Sequence, residues 1–159
     1  GRTQRRVWSR GQRELDVEIG AVAVDEERLA LYHRHKRERG LEVGEAPLSE
    51  ESYRLVFGES CCDTFELRYR LADRLVAIAI TDRGARSLSA VYTYFDPRCG
   101  NLSLGVFSIL TQVELCRRLG LRYLYLGLYI ADCPAMVYKG RYLPHQRLVD
   151  DRWQTFDRP

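Results

Sequence analysis

The chain has 159 residues, 45% of them hydrophobic, which is enough apolar material for one folded domain of ordinary size. No run of about 18 apolar residues is present, so the sequence predicts no membrane-spanning helix. The net charge is only +3, but residues 1–13 carry five arginines and no acid, and residues 67–147 carry twelve basic and five acidic residues. This bias suits a polyanionic partner such as RNA.

Before residue 60 the sequence predicts one strand and two helices. Residues 15–19 alternate apolar and acidic side chains, as a half-buried strand does. Asp25 can cap a helix that ends at a loop, Gly40–Pro47, because glycine favours a helix C-terminus. Ser49, followed by two glutamates, opens a second, short helix that ends near Gly58.

An antiparallel meander, a long helix and a last strand are predicted next. Turn residues at 72–73 and 83–84 separate three strand candidates, which are residues 64–70, 74–81 and 87–95. Ser103 can cap a helix over 104–119, and residues 122–130 form the last strand. The apolar stripe expected on this helix comprises Leu104, Phe107, Leu110, Val113 and Cys116. This order of elements predicts an α+β domain.

Four short blocks of the sequence are more specific than these elements. They are Gln4–Trp8 (QRRVW), Tyr94–Pro97 (YFDP), Ser103–Gly105 (SLG) and a long block from Tyr125 to Pro144. The long block joins Y-L-G-L-Y-I to a Cys-Pro turn and then to Y-K-G-R-Y-L-P. Their order and spacing resemble those of the aminoacyl-tRNA–protein transferases, the arginyl- and bacterial leucyltransferases of the N-degron pathway. That family's motifs read QRRVWRR, YFDP, SLG and YLYLGYWI-x-x-C-x-K-M-x-Y-K-A-x-F-x-P.

The resemblance implies a GNAT-like fold, in which helices flank a central, mostly antiparallel sheet. We expect a basic segment over residues 1–13 and a transferase domain over residues 14–159. The cysteine-rich N-terminal domain of the family is missing from this sequence, which is then either a fragment or a naturally short relative. Five cysteines and three histidines show no paired ligand spacing, so no metal is expected.

The implied activity is transfer of leucine or arginine from aminoacyl-tRNA to the N-terminal amine of an acceptor protein that begins with Asp or Glu. Aminoacyl-tRNA is the co-substrate and no other cofactor is implied. The expected location is the cytoplasm, and the sequence leaves the oligomeric state open.

In the GNAT-like fold, the strands before and after the long helix splay apart and the acyl donor enters the gap between them. Alternate side chains along those strands share a face. Aromatic faces stack on unpaired bases, and a glycine within a strand is typical of close approach by a ligand. Ala90, Tyr92 and Tyr94 are expected to share one strand face. An open cleft for the tRNA 3′ end is therefore expected between Tyr92 and Tyr94 on one strand and Tyr125, Gly127 and Tyr129 on the other.

The implied reaction is attack of an amine on an activated ester, so the amine must lose a proton. Asp96 is the first candidate to accept that proton, and Asp132 is the second. The hydroxyls of Tyr94 and Tyr138 are candidate donors to the oxyanion, as are backbone N–H groups near residues 104–105.

Two further groups of residues are candidates for binding anions. The start of the long helix can present free backbone N–H groups, from Ser103, Leu104 and Gly105. The [RQ]-x-x-G-x-[GA] loop of acetyl-CoA binders is absent there, because Leu102 stands where Arg or Gln belongs. The other group, Lys139 and Arg141, can bind an acidic acceptor side chain or tRNA phosphates.

Departures from the family pattern keep two other functions open. Ala135, Gly140 and Gln146 stand where the family has Lys, Ala and Glu. The chain can instead be a GNAT acyltransferase that uses another acyl donor, or a non-catalytic relative that binds RNA or peptide.

Overall fold

A five-stranded sheet organises the first of two structural units, residues 1–125; the second unit is residues 126–159. The computed structural model describes residues 1–42, 44 and 46–158. The five strands lie in sequence order: β1 (Asp16–Ala21), β2 (Asp63–Leu71), β3 (Arg74–Arg83), β4 (Ser87–Phe95) and β5 (Tyr123–Tyr125). Strands β1 to β4 are antiparallel, and only β5 runs parallel to its neighbour β4.

Helices cover both faces of this sheet. Those longer than one turn are α1 (Arg2–Glu14), α2 (Glu26–Glu38) and α4 (Leu104–Arg118). A short α3 (Glu50–Tyr53) continues as a π-helix over Arg54–Gly58, and a 3-10 segment over Pro97–Leu102 precedes α4. In the second unit, a 3-10 turn over Val137–Arg141 precedes a hairpin of β6 (His145–Val149) and β7 (Arg152–Phe156).

Strand β3 forms the centre of the sheet, and its residues from Leu75 to Thr81 are all buried. Both of its faces are covered, which explains why it reads as a continuous apolar run. Ala77 and Ala79 pack with α1 and α4 on one face. Ile78 and Ile80 pack with α2 and α3 on the other.

Helix α1 lies close against α4 because a glycine stands at the contact. Trp8 meets the Phe107 ring with centroids 5.7 Å apart. A Cβ atom at Gly11 would lie 2.2 Å from Cε2 of Phe107, so only glycine permits this approach. The basic segment expected at residues 1–13 thus forms most of a packed helix, which the sequence analysis did not predict. The boundary expected at residue 13 lies inside α1.

Most of the predicted elements are confirmed. The three meander strands, the short helix from Ser49 and the helix capped by Asp25 are present, with the Asp25 carboxylate accepting from the backbone N–H of Arg28 at 2.9 Å. Two residues of the predicted loop Gly40–Pro47, Val43 and Glu45, lie outside the described residues. The predicted α+β class is confirmed.

Three predictions about the region around α4 are wrong in whole or in part. Ser103 has a left-handed backbone (φ +51°) and its side chain does not cap the helix. The apolar stripe is confirmed at Leu104, Phe107 and Cys116, but Val113 is exposed, and the polar Ser108 and Gln112 are buried beside it. Gln112 can face the sheet because the Thr81 hydroxyl donates to its carbonyl oxygen at 3.2 Å. The strand predicted over 122–130 ends at Tyr125.

Two absences hold for the described residues. No helix there is long and apolar enough to cross a membrane. No group of three or more His, Cys, Asp or Glu side chains among them is placed to hold a metal ion.

We expect Gly11→Ala to destabilise the protein by about 1–3 kcal/mol, because the added methyl group must displace the buried Phe107 ring. Urea denaturation measures this change. Gly100→Ala is the matched control, since a Cβ there meets nothing within 4 Å. Equal stabilities for the two variants would show that the α1–α4 contact is looser than described.

Candidate functional site

The turn between β4 and α4 is held by one buried carboxylate. Asp96 is fully buried, and its oxygens accept from the backbone N–H of Arg98 at 3.0 Å and the Arg98 guanidinium at 2.9 Å. Arg74 of β3 adds a contact at 2.6 Å and Arg34 of α2 one at 3.3 Å. One side chain therefore ties together α2, β3 and the turn that leads into α4.

These contacts place Asp96 differently from the expected proton acceptor at a cleft mouth. The Arg98 contacts hold the pKa of Asp96 far below its ordinary value, and Arg74 acts in the same direction. An ionised carboxylate engaged by three guanidinium groups has little capacity to take another proton. The arrangement therefore favours a positioning role for Asp96.

Helix α2 makes a second contact with the end of β4. The ring of His35 is buried, and its Nδ1 lies 2.9 Å from the carbonyl oxygen and 3.1 Å from the amide nitrogen of Phe95. Burial lowers the pKa of His35, which favours the neutral ring. His35 and Arg34 together fix the last residues of β4 to α2.

Tyr94, the expected oxyanion donor, lies in an aromatic layer under α2 and α3. Its side chain is fully buried, and its hydroxyl lies 2.6 Å from that of Tyr53. Burial strongly raises the pKa of Tyr94 and raises that of Tyr53 to about 12, so both stay neutral. Tyr92 is half-buried and stacks on Phe57 with centroids 5.6 Å apart. The Tyr94 hydroxyl therefore lies in the protein interior, with the Tyr53 hydroxyl as its partner.

A bulge in β4 corrects the expectation that Ala90 shares a face with these tyrosines. Ile80 pairs with Tyr92 but Thr81 pairs with Ala90, which leaves Val91 as the extra residue. Paired residues of antiparallel strands point to the same face, so Ala90 follows Thr81 toward α4. Sequence alternation alone gives no sign of such a shift.

A buried ion pair beside the aromatic layer was not predicted. Glu66 of β2 is fully buried and accepts from Nε of Arg28 at 3.1 Å, while Arg28 also contacts Asp25. Arg68 donates to the same Glu66 carboxylate at 3.2 Å. The nearby loop of residues 22–24 lines a cavity of about 380 Å³, together with Tyr53, Arg54, Gly58 and Glu59. The sequence signal for this ion pair was Glu66 itself, a single acidic residue between the apolar Phe65 and Leu67.

The start of α4 retains two backbone donors. Ser103 O accepts from the N–H groups of Val106 and Phe107 at 2.9 and 3.0 Å. In the part of the chain that the structure describes, the N–H groups of Leu104 and Gly105 have no such acceptor. A Cβ at Gly105 would lie 3.4 Å from Phe95, at the limit of ordinary van der Waals contact. The anion site predicted at Ser103–Gly105 is sterically and electrostatically reasonable and stays a prediction.

The strands that were expected to splay apart are paired only at their beginning. The register of β4 with β5 covers residues 87–89 and 123–125 and ends at Ser89 and Tyr125. Tyr125 is 43% exposed, and its ring lies 6.2 Å from that of Tyr123. The remainder of β4, which carries Tyr92 and Tyr94, extends beyond this pairing.

Gly127 belongs to the second unit and does not lie in a strand. It has φ +76°, a left-handed conformation that favours glycine, so its presence reflects backbone geometry. Lys139 lies nearby and donates from Nζ to the carbonyl oxygen of Leu128 at 2.7 Å. Burial lowers the pKa of Lys139. Its ammonium group therefore holds the loop that contains Gly127. The side chains of Arg141, Tyr138 and Asp132 are exposed.

Tyr129 has one ring face covered by an arginine that sequence reasoning missed. The guanidinium carbon of Arg147 lies 3.7 Å from the Tyr129 ring centroid and 4.3 Å from that of Phe156. A Cβ at Gly140 would lie 3.0 Å from Nη2 of Arg147. The absence of a side chain at Gly140, where the family pattern has alanine, therefore leaves room for this stack.

The predicted cleft residues thus differ in how deeply they are buried and in which unit they lie. Tyr94 is buried, Tyr92 and Tyr129 are half-buried, and Tyr125 is exposed. Tyr92, Tyr94 and Tyr125 lie in the first unit, and Gly127 and Tyr129 in the second. A common cleft formed by the five residues stays a prediction.

Comparison with known proteins identifies both a family and a fold. The family model for arginine-tRNA-protein transferase, C terminus, matches residues 27–149. An aspartate/glutamate leucyltransferase of Chromobacterium violaceum is 41% identical over 97% of this chain and 63% of its own length. The enzymes of that name from Hahella chejuensis and Aeromonas hydrophila are 38% and 40% identical, with 65% and 68% of their lengths covered. The chain thus spans about two thirds of the length of these curated relatives.

Several solved structures with similar folds are N-acetyltransferases. The Escherichia coli ribosomal-protein-S18-alanine N-acetyltransferase has a TM-score of 0.57 at 15% identity, over 83% of this chain and 79% of that one. The PaiA N-acetyltransferase of Thermoplasma acidophilum, in complex with coenzyme A, has a TM-score of 0.60 at 13% identity, over 87% and 95%. At these identities the likeness concerns the fold, and it confirms the GNAT-like prediction.

We expect Asp96→Asn to lower stability by about 2–3 kcal/mol at neutral pH, because three guanidinium groups lose a charged acceptor. The folded-state pKa of Asp96 is lowered, so its contribution is complete above the ordinary pKa of 3.8 and is lost as the pH falls below it. Urea denaturation of both proteins across this range tests the expectation. A difference that stays constant down to the lowest pH would contradict it.

We expect Arg147→Met to weaken the second unit by about 1 kcal/mol, because the cation–π contacts with Tyr129 and Phe156 are lost. Amide hydrogen exchange in β6 and β7 should become about fivefold faster. Arg152→Met is the matched control, because Arg152 is an exposed residue of the same hairpin. The same change in both variants would rule out a specific role for the stack.

Proposed function

The chain belongs to the arginine-tRNA-protein transferase C-terminus family, and on that premise we propose that it transfers an amino acid from aminoacyl-tRNA to the N-terminal amine of an acceptor protein that begins with Asp or Glu. Leucine is the favoured amino acid, because the relatives that match 97–98% of the chain are named aspartate/glutamate leucyltransferases. This match over nearly the full chain is the observation that carries the proposal.

The chemistry needs little beyond positioning, because the aminoacyl ester is already activated. The acceptor amine attacks the ester carbonyl, a C–N bond forms and the C–O bond to the tRNA ribose breaks. The amine loses one proton to a base, and the departing ribose oxygen takes up one proton to become a hydroxyl. The N–H groups of Leu104 and Gly105 are suited to a developing oxyanion or a terminal phosphate. The contacts around Asp96 would hold these donors in place by fixing the turn before α4.

The proton acceptor is better sought at Asp132 than at Asp96. The Asp96 carboxylate is engaged by three arginines, whereas Asp132 is exposed. For the acidic acceptor side chain, Arg141 is favoured over Lys139, because its side chain is exposed and carries a guanidinium group. A planar guanidinium also suits bidentate contact with a carboxylate.

Acetyl-CoA is the second candidate donor, because the fold is that of N-acetyltransferases. The turn before α4 argues against it, since Leu102 and Phe107 stand where the acetyl-CoA loop needs Arg or Gln and a small residue. The proposed reaction forms part of N-terminal-dependent protein degradation in the cytoplasm. Five cysteines without disulfide bonds suit a reducing compartment.

A transfer assay with leucyl-tRNA, arginyl-tRNA and acetyl-CoA as alternative donors tests the proposal. We expect leucine to be added to a peptide with N-terminal Asp or Glu and not to the same peptide with a blocked amine, with mass spectrometry as the readout. Acetyl transfer would instead support the second candidate. Equal binding of charged and uncharged tRNA without transfer would indicate a non-catalytic RNA-binding relative.

Acceptor specificity provides an internal control for this assay. The variant Arg141→Gln loses one charge-assisted hydrogen bond to the acceptor. Its preference for Asp over Ala at the peptide N-terminus should therefore fall by about ten- to a hundredfold. Arg152→Gln, which removes an equally exposed charge from the hairpin, should retain the preference. If both variants retain it, Arg141 is not the acceptor-binding residue.

A further inference from the structure

Helix α1 carries an arginine face that the proposed reaction does not use. Together with Ser9, the five arginines line a groove of about 480 Å³: Arg2, Arg5, Arg6, Arg10 and Arg13. Their spacing of three and four residues places them along one side of the helix. No acidic residue occurs in α1 before its last position, Glu14.

The opposite side of α1 fixes the direction in which this face points. Val7 and Trp8 pack against the core cluster of α4 and the sheet. Gly11 is the buried residue of the helix and contacts the Phe107 ring. Because that side of α1 packs against the core, the arginine face has a fixed orientation and points away from the core.

These arginines differ from those that pair with acidic side chains within the fold. Eight arginines outside α1 form ion pairs with carboxylates of other parts of the fold or of the same helix turn: Arg28, Arg34, Arg68, Arg70, Arg74, Arg98, Arg117 and Arg118. In α1 only Arg13 has such a pair, with the adjacent Glu14. Within the described ranges, Arg2, Arg5 and Arg6 have no carboxylate partner.

The charge pattern is unfavourable for the helix itself. Arg2, Arg5 and Arg6 lie near its N-terminus, where the helix dipole favours acidic side chains. Like charges three and four residues apart repel one another. Folding gains nothing from this arrangement, so an external polyanion is the natural counterpart.

One contact relates the arginine face to the start of α4. Arg10 donates from Nη1 to the carbonyl oxygen of Asn101 at 2.6 Å, two residues before Ser103. The arginine face therefore begins beside the turn whose free N–H groups are candidates for binding the aminoacyl end. From Arg10 to Arg2 the helix extends about 12 Å away from this contact.

We propose that this face of α1 is a docking surface for the phosphate backbone of a double-stranded RNA stem, the acceptor stem next to the aminoacylated end. The identity of this partner rests on the proposed function. A duplex is favoured over a single strand because no aromatic side chain lines the groove, and single strands are bound largely by stacking on aromatic rings. Arginine suits phosphate through its planar set of donors.

The test uses the full chain and a fluorescently labelled RNA hairpin with an acceptor-stem-like duplex, carrying no amino acid. Fluorescence anisotropy is measured for the parent and for the triple variant Arg2→Gln, Arg5→Gln, Arg6→Gln. The matched control is Arg37→Gln, Arg83→Gln, Arg86→Gln, which removes three exposed charges elsewhere in the same unit. Glutamine keeps the helix propensity of α1 close to that of arginine, and urea denaturation checks that both variants fold.

We expect the α1 variant to bind the hairpin at least about tenfold more weakly at moderate salt. The slope of log K against log salt should also become shallower by about two to three, since three counterion-releasing contacts are lost. The control should change neither quantity by a comparable amount. Equal losses in the two triple variants, or no loss in either, would overturn the assignment. So would binding of a polyglutamate peptide as tight as that of the hairpin.

The transfer assay separates this inference from the proposed function. With leucyl-tRNA as donor, the α1 variant should show a higher KM for tRNA and a nearly unchanged kcat. If the parent transfers no amino acid but the α1 variant alone loses hairpin binding, the docking surface stands and the proposed function fails. If transfer proceeds and the α1 variant is unaffected in KM and binding, the docking surface is refuted while the function stands.

Discussion

The enclosed carboxylate of Asp96 is the contact on which the architecture of the candidate site depends. It accepts from Arg34 of α2, Arg74 of β3 and Arg98 of the following turn, so helix, sheet and turn meet at one charge. The arginines are partly exposed and the carboxylate is buried, which leaves most of the desolvation cost with the acid. The orientation of the first residues of α4 follows from this turn, and so does the position of the Leu104 and Gly105 N–H groups.

A second buried polar network lies between α2 and the sheet. Glu66 is paired with Arg28 and Arg68, and the Tyr53–Tyr94 hydroxyl pair lies in the adjoining aromatic layer. Buried ion pairs contribute little net stability, but losing one partner leaves an uncompensated charge. The two tyrosines of β4 are therefore part of a packed layer, and the π-helix that follows α3 lies at its edge with Phe57 stacked on Tyr92. π-helices often occur near functional sites, and this one borders the cavity at residues 22–24.

The distribution of arginine partners separates structural from recognition roles. Most arginines of the five-stranded sheet and of α2 and α4 pair with carboxylates within the fold, and Arg147 is stacked between two aromatic rings. Helix α1 concentrates charge without such compensation, although its other face is anchored by Gly11. The small overall charge of +3 hides this contrast, because acidic residues 14–66 offset the basic stretches. Local pairing is thus more informative about partners than net charge.

The sequence by itself determined the family, the α+β order of elements and most strand and helix positions. Those features depend on local signals: alternation over β2–β4, the Asp25 cap and the glycine-containing motif blocks. Only the tertiary structure decided which polar residues are buried. Gln112 can face the core because Thr81 lies opposite and donates a hydrogen bond to it. Tyr94 can be buried because Tyr53, 41 positions away in sequence, provides a hydroxyl partner. The strand predicted through Gly127 failed because alternation cannot report a positive φ angle. Burial, ion-pair partners and backbone strain are set by residues distant in sequence, which no local pattern encodes.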